Sequence, residues 1–129
     1  YFKVANQGVG VIVQIESPDA MARLEEIVSV PGVDSLFIGP GDLSGAMGHV
    51  GDLMHPDVVK VMGEAAVRCH KLGKPIGTVG GTPETVATYR KLGYDYLAVA
   101  SDLGLLMRNC ASILSTIRSQ DIKIHSQGY

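Results

Sequence analysis

Residues 35–44 read Ser-Leu-Phe-Ile-Gly-Pro-Gly-Asp-Leu-Ser, an apolar run closed abruptly by small residues and a carboxylate. Leu36, Phe37 and Ile38 show none of the polar alternation of a half-exposed strand, which predicts a strand over residues 35–38 covered on both faces. Gly39-Pro40-Gly41-Asp42 then reads as a turn at its C-terminal end. Proline in second place and glycine in third suit a type II turn. Three further apolar runs, residues 10–14, 75–79 and 96–100, have the same Val-, Ile- and Leu-rich character.

The stretches between these runs carry helix signals. Ser17-Pro18-Asp19 places a capping hydroxyl, a proline at the first helical position and an acid in the first turn, ahead of Met21, Leu24, Ile27 and Val28 at core-facing spacing. Thr82-Pro83-Glu84 repeats the signal before Val86, Tyr89 and Leu92, and Gly93 stops that helix. His55-Pro56-Asp57 opens another, through Val58, Val59, Met62, Ala65, Ala66 and Cys69 to Leu72-Gly73. A last helix from about Asp102 to Ile117 holds Leu105, Leu106, Ile113 and Leu114. Met47, Met54, Met62 and Met107 are expected to fill core gaps. Residues 1–118 form the domain in this reading, and residues 119–129 a polar tail.

Strand and helix alternate four times, which is an α/β class with right-handed crossovers. Two closures remain: an open doubly wound sheet of flavodoxin type, or four units of a (β/α)8 barrel. Length favours the open sheet; the placement of acids favours the half barrel.

Composition narrows the function. The chain has 129 residues, 46% hydrophobic, with 11 basic and 13 acidic side chains and a net charge of -2. Nucleic-acid binding therefore has no electrostatic support. No apolar run reaches membrane-spanning length, so no membrane partner is expected. Cys69 and Cys110 have no metal-type spacing and build no disulfide framework, which suits a reduced, cytoplasmic setting. The chain begins at Tyr1 without a charged or apolar leader, so it reads as lacking a signal peptide and as a segment of something longer.

In α/β folds function sits at the C-terminal ends of the strands. Two successive strands end in an acid, Glu16 and Asp42. Neighbouring strands lie about 4.8 Å apart, so both carboxylates can reach one hard divalent cation. An equally weighted reading makes Asp42 a helix cap and Glu16 a solvated loop acid. The amides of Gly41 and Asp42 can face an anion such as a substrate carboxylate. By itself, an ordinary strand-to-helix turn is the plainer reading. Gly80-Gly81 falls where barrels often hold phosphate, but without a nearby Lys or Arg a plain loop is favoured. Asp102 could line a pocket, although capping the last helix is the safer reading. Lys74 stands at the wrong end of its strand for a Schiff base, and Lys60, Lys71 and Lys91 belong to helices.

Val13-Gln14-Ile15-Glu16, Val30-Pro31-Gly32-Val33-Asp34 and Leu36-Phe37-Ile38-Gly39-Pro40-Gly41-Asp42-Leu43-Ser44 resemble the HpcH/HpaI aldolase/citrate lyase family. Closest within it is the branch of 4-hydroxy-2-oxoheptanedioate and 2-dehydro-3-deoxyglucarate aldolases. His55-Pro56, Gly73-Lys74-Pro75-Ile76-Gly77 and residues 92–99 fit the same pattern, so the resemblance runs to about Ile117. It implies the C-terminal half of a TIM barrel, strands five to eight, from a metal-dependent (class II) aldolase.

On that resemblance Glu16 and Asp42 are the metal ligands, for Mg2+ or Mn2+ with Co2+ as a further option. Gln14, Gly39, Pro40, Gly41 and Asp42 would surround a 2-oxo acid of the pyruvate or oxaloacetate type. The metal would stabilise the pyruvate enolate left when a carbon–carbon bond breaks and an aldehyde departs. The family's acid/base His and its carbonyl-polarising Arg belong to the other half. None of His49, His55, His70 and His125 occupies such a position, so no catalytic residue is assigned and this chain by itself is expected to be inactive. The resemblance also implies homo-oligomers, with Leu103, Leu106 and Met107 of the last helix as contact residues. Two alternatives stand beside the aldolase: a lyase of the same family acting on citryl- or malyl-CoA esters, and a non-catalytic α/β binding module.

Overall fold

The computed structural model describes the backbone of residues 2–126 and the side chains of residues 2–119. The elements are α1 Ala5–Gly8, β1 Ile12–Ile15, α2 Pro18–Ala22, α3 Leu24–Val28, β2 Ser35–Ile38, α4 Pro40–Ala46, α5 Pro56–Lys71, β3 Ile76–Val79, α6 Pro83–Lys91, β4 Tyr96–Ala98 and α7 Asp102–Ser126. The described residues form two compact units that divide between Val99 and Ala100.

In the first unit the four strands lie in sequential order, β1-β2-β3-β4, and every pair is parallel. A flavodoxin-type sheet would place its first strand between two others, so that closure is excluded. Sequential parallel order is how one wall of a (β/α)8 barrel is built. Ile15, Leu36, Ile38 and Ile76 are at most 1% exposed, under Leu24, Val58, Met62 and Tyr89 from the helices.

The starts of the strands are tied by side chains. The Tyr96 hydroxyl donates to Leu36 O at 2.8 Å and lies 2.7 Å from Ser35 Oγ. Its ring occupies the space that a Cβ on Gly77 would need, so a glycine at that position lets β4 cross-link to β2 over β3. Thr78 Oγ1 donates to Ile38 O at 2.8 Å inside the core. Asp95 accepts from Ile76 N–H at 2.8 Å, and its carboxylate lies 3.0 Å from His70 Nε2. Lys74 Nζ donates to Val33 O. On the helical layer the Arg68 guanidinium forks onto the Glu25 carboxylate while its Nη1 donates to Met21 O at 2.8 Å. That pairing holds Glu25 down to a pKa of about 2, from an ordinary 4.5.

Several expectations change. The helix expected from Pro18 breaks at Arg23, whose φ of -102° and ψ of 20° split it into α2 and α3. The break still leaves Met21, Leu24 and Val28 buried. Gly39-Pro40-Gly41-Asp42 is no type II turn: Gly41 is absent from the positive-φ glycines, and Pro40 opens α4. Proline's fixed φ suits the first helical position as well as it suits a turn, and here the helix prevails. Met62 is buried, but Met54 and Met107 are 39% and 63% exposed and fill no gap.

In the second unit, Ser101 Oγ accepts from Gly104 N–H at 3.0 Å and caps α7, while Asp102 Oδ1 accepts from Leu103 N–H at 2.7 Å. The hydroxyl, not the expected Asp102 carboxylate, is therefore the cap of the helix's third amide. Leu105, Leu106, Ile113 and Leu114 are all at least 50% exposed. The backbone of α7 continues past residue 118 to Ser126; the side chains from residue 120, and residues 127–129, lie outside the described residues.

Candidate metal site

The parallel register sets Ile15 opposite Ile38, and Gly39 N–H donates to Ile15 O at 3.1 Å, which extends the β1–β2 ladder by one step. Glu16 therefore leaves β1 directly beside Gly39, where β2 gives way to α4. Glu16 is half-buried, and Gln14 Nε2 donates to its Oε1. Gly39 is buried. A Cβ there would stand 2.5 Å from Glu16 Oε1 and 2.9 Å from both Glu16 Cγ and Gln14 Nε2. The Glu16 carboxylate thus fills a cradle that exists because residue 39 has no side chain.

Asp42 is the third residue of α4, one turn on from that cradle, and it is exposed. Both acids consequently sit at the C-terminal end of adjacent strands. The first helical bond of α4 runs from Leu43 N–H to Gly39 O at 3.0 Å. The amides of Gly41 and Asp42 precede it and have no acceptor within the helix. Pro40 has no N–H to leave unsatisfied. Buried Ser44 donates from Oγ to Gly41 O at 2.8 Å and fixes the first turn.

This donor set fits a hard divalent cation. Two carboxylates at one strand end offer oxygen ligands, one held by Gln14 and the other free to move, and the open side leaves positions for water and a chelating substrate. Asp42 has no side-chain hydrogen bond or ion pair among the described residues that would compete.

The sequence model of the HpcH/HpaI aldolase/citrate lyase family matches residues 2–109. The chain belongs to that family. It is 48% identical over 120 residues to 2-dehydro-3,6-dideoxy-6-sulfogluconate aldolase of Pseudomonas putida, covering 93% of this chain and 47% of that protein. It is 39% identical over 113 residues to a pyruvate aldolase of Rhizobium etli, covering 88% and 44% respectively. Among solved structures, a HpcH/HpaI aldolase/citrate lyase family protein from Burkholderia cenocepacia superposes with a TM-score of 0.82 at 37% identity, over 92% of this chain and 46% of that one. The chain spans about half the length of the relatives it matches.

The other expected positions resolve as follows. Lys74 is at the start of β3, away from the acids. Gly80 N–H donates to Ala98 O at 2.9 Å and is used by the sheet, in line with a plain loop at Gly80-Gly81. His70 lies against Asp95. His125 falls among residues whose side chains lie outside the described residues. Sequence reading missed one cluster. His49, His55 and Asp57 each bring a donor atom within 4.8 Å of the other two. The only trace in the sequence is two histidines six residues apart, with Gly51 between them and Gly48 just before the first.

No helix among the described residues is long and apolar enough to cross a membrane.

Proposed function

We propose that this chain carries the metal and 2-oxo-acid site of a class II aldolase, one that makes or breaks a carbon–carbon bond beside the carbonyl of pyruvate or a related 2-oxo acid. The observation that carries the reading is the placement of Glu16 and Asp42 at the same end of two paired strands, with Gly39 vacating the space the Glu16 carboxylate needs.

Glu16 and Asp42 hold the cation, Mg2+ or Mn2+ with Co2+ as a further option. When bound, such an ion supplies positive charge that polarises the carbonyl of the 2-oxo acid. Gln14 orients Glu16 through its amide N–H. Pro40 starts α4 so that the amides of Gly41 and Asp42 face the substrate carboxylate. An aldehyde is the other partner. Residues 1–118 supply four of the barrel's eight units, with residues 119–129 extending beyond them. The remaining four units contribute the His and Arg of the family's chemistry, so residues 1–129 alone bind without turnover.

The edges of the sheet at β1 and β4 have no strand partner among the described residues, and Ile12 and Val99 are 56% and 59% exposed. Such edges favour association with the complementary half. Leu103, Leu106 and Met107, each more than 60% exposed, give α7 an apolar face for a second copy of the chain. Two free cysteines accord with a cytoplasmic protein.

Titration of Mn2+ into the chain, followed by the paramagnetic resonance signal of the free ion, tests the site. Glu16→Gln and Asp42→Asn are each expected to weaken Mn2+ binding at least tenfold, and pyruvate to tighten it in the wild type. Binding that neither substitution changes would make the two acids structural and favour a binding module.

A further inference from the structure

Away from the strand-end acids, the loop between α4 and α5 carries a second set of donors. His49 N–H donates to Ser44 O at 2.7 Å, Asp52 N–H to His49 O at 3.0 Å and His55 N–H to Asp52 O at 3.3 Å. Gly48 and Gly51 take φ of 86° and 80°, which ordinary side chains disfavour. These consecutive turns fold the loop back on itself. The rings of His49 and His55 end up face to face, 3.5 Å between centroids and 13° from parallel. Asp57 Oδ2 lies 3.8 Å from His49 Nε2 and 3.7 Å from His55 Nδ1.

Helix capping explains two of the three residues. His55 Nδ1 accepts from Asp57 N–H at 3.3 Å, and an acid in the first turn suits the positive end of α5. It does not explain the imidazole of His49: the backbone N–H of His49 closes the C-terminus of α4 on Ser44 O, but that bond makes no use of the side chain, which is only 27% exposed. A carboxylate in the cluster argues against an anion as occupant. Two imidazoles and one carboxylate are the donors of a borderline divalent ion rather than of Mg2+. Ligands about 2.0–2.2 Å from a tetrahedral Zn2+ stand roughly 3.3–3.6 Å apart, so the two separations from Asp57 need to close by a few tenths of an ångström, while the two imidazole donors start within 4.8 Å of each other. The rings must also tilt out of their stack, and His55 Nδ1 must exchange its long hydrogen bond for the ion.

We propose that His49, His55 and Asp57 form a second metal site, separate from Glu16 and Asp42, that takes a borderline divalent ion such as Zn2+ or Co2+. Water completes the coordination, and the ion clips the loop to the start of α5.

The test is titration of the full chain with Co2+ in the presence of excess Mg2+, which occupies the oxygen site. A four-coordinate site with two imidazoles gives intense visible absorption that a six-coordinate oxygen site does not. The expected result is a visible spectrum that saturates at one equivalent, is displaced by Zn2+ and persists in Glu16→Gln. It should weaken at least tenfold in His49→Gln and in His55→Asn, the latter chosen because asparagine still caps a helix. Zn2+ should also raise the melting temperature of the wild type and not of His49→Gln. Absence of the visible spectrum, its survival in His49→Gln, or its loss in Glu16→Gln would each overturn the proposal.

Discussion

Gly39→Ala separates the energetics of folding from those of the proposed site. Residue 39 has φ of -86° and ψ of 96°, a conformation open to alanine, so no backbone strain is introduced. Alanine is a poorer helix N-cap than glycine, a cost of about 0.5–1.5 kcal/mol, offset by about 0.4–1 kcal/mol from a less flexible unfolded chain. Net stability should fall by no more than ~1 kcal/mol. The new Cβ, however, would lie 2.5 Å from Glu16 Oε1, so the carboxylate must swing out of its cradle. Glutamate is flexible and half-exposed, which makes that motion easy for the fold and damaging to the site. Misplacing a ligand or its support costs roughly 10- to 100-fold in metal affinity, or ~1.4–2.7 kcal/mol. Mn2+ binding and thermal melts on the same samples read the two effects apart. Gly45→Ala, in the same helix with nothing within 4 Å of its Cβ, is the control and should bind as the wild type. Wild-type Mn2+ affinity in Gly39→Ala would refute the reasoning, because the cradle would then have no bearing on the metal.

Gly77→Ala should act in the opposite sense, on stability first. Its Cβ would collide with the Tyr96 ring, which cannot withdraw without losing its bonds to Leu36 and Ser35, and overpacking of this kind costs about 1–3 kcal/mol in a denaturant melt. Tyr89→Phe should be neutral or stabilising by up to ~1 kcal/mol, because the Tyr89 hydroxyl is buried without a hydrogen-bond partner among the described residues. Glu25 has a folded pKa depressed to about 2, so its contribution is present above pH 4.5 and is lost as pH falls toward 2. Both side chains of the pair retain solvent contact, 50% for Glu25 and 30% for Arg68, which limits that contribution to at most about 1 kcal/mol. Glu25→Gln should flatten the stability profile between pH 4.5 and 2 relative to the wild type, as read by chemical denaturation at each pH.

The elements that sequence placed well are those fixed by local chemistry. Ser35–Ile38 is a strand with those bounds, since an unbroken apolar run ending at glycine and proline has few other solutions. Thr82 and Ser17 cap α6 and α2 through their hydroxyls, as their Pro-acid sequels predict. That Glu16 and Asp42 follow the ends of two paired strands was legible because strand ends are legible. What escaped depends on three-dimensional context. Pro40 favours a turn and a helix start equally, and the choice rests on how β2 hands over to α4. The break at Arg23 leaves the helical spacing of buried residues almost unchanged, so periodicity does not register it. Tyr96 sits in an apolar run, yet its hydroxyl crosses to β2 only because Gly77 lies in register beside it. The meeting of His49 with His55 and Asp57 is set by two left-handed glycines, and neither spacing nor composition encodes it.

The most direct measurement is a crystal of the chain grown with Mn2+ and pyruvate, with anomalous scattering used to locate the ion. A peak bridging the carboxylates of Glu16 and Asp42, with pyruvate beside the amides of Gly41 and Asp42, is the predicted result. Mn2+ found only at His49, His55 and Asp57, or pyruvate bound with no ion between the two strand-end acids, would contradict it.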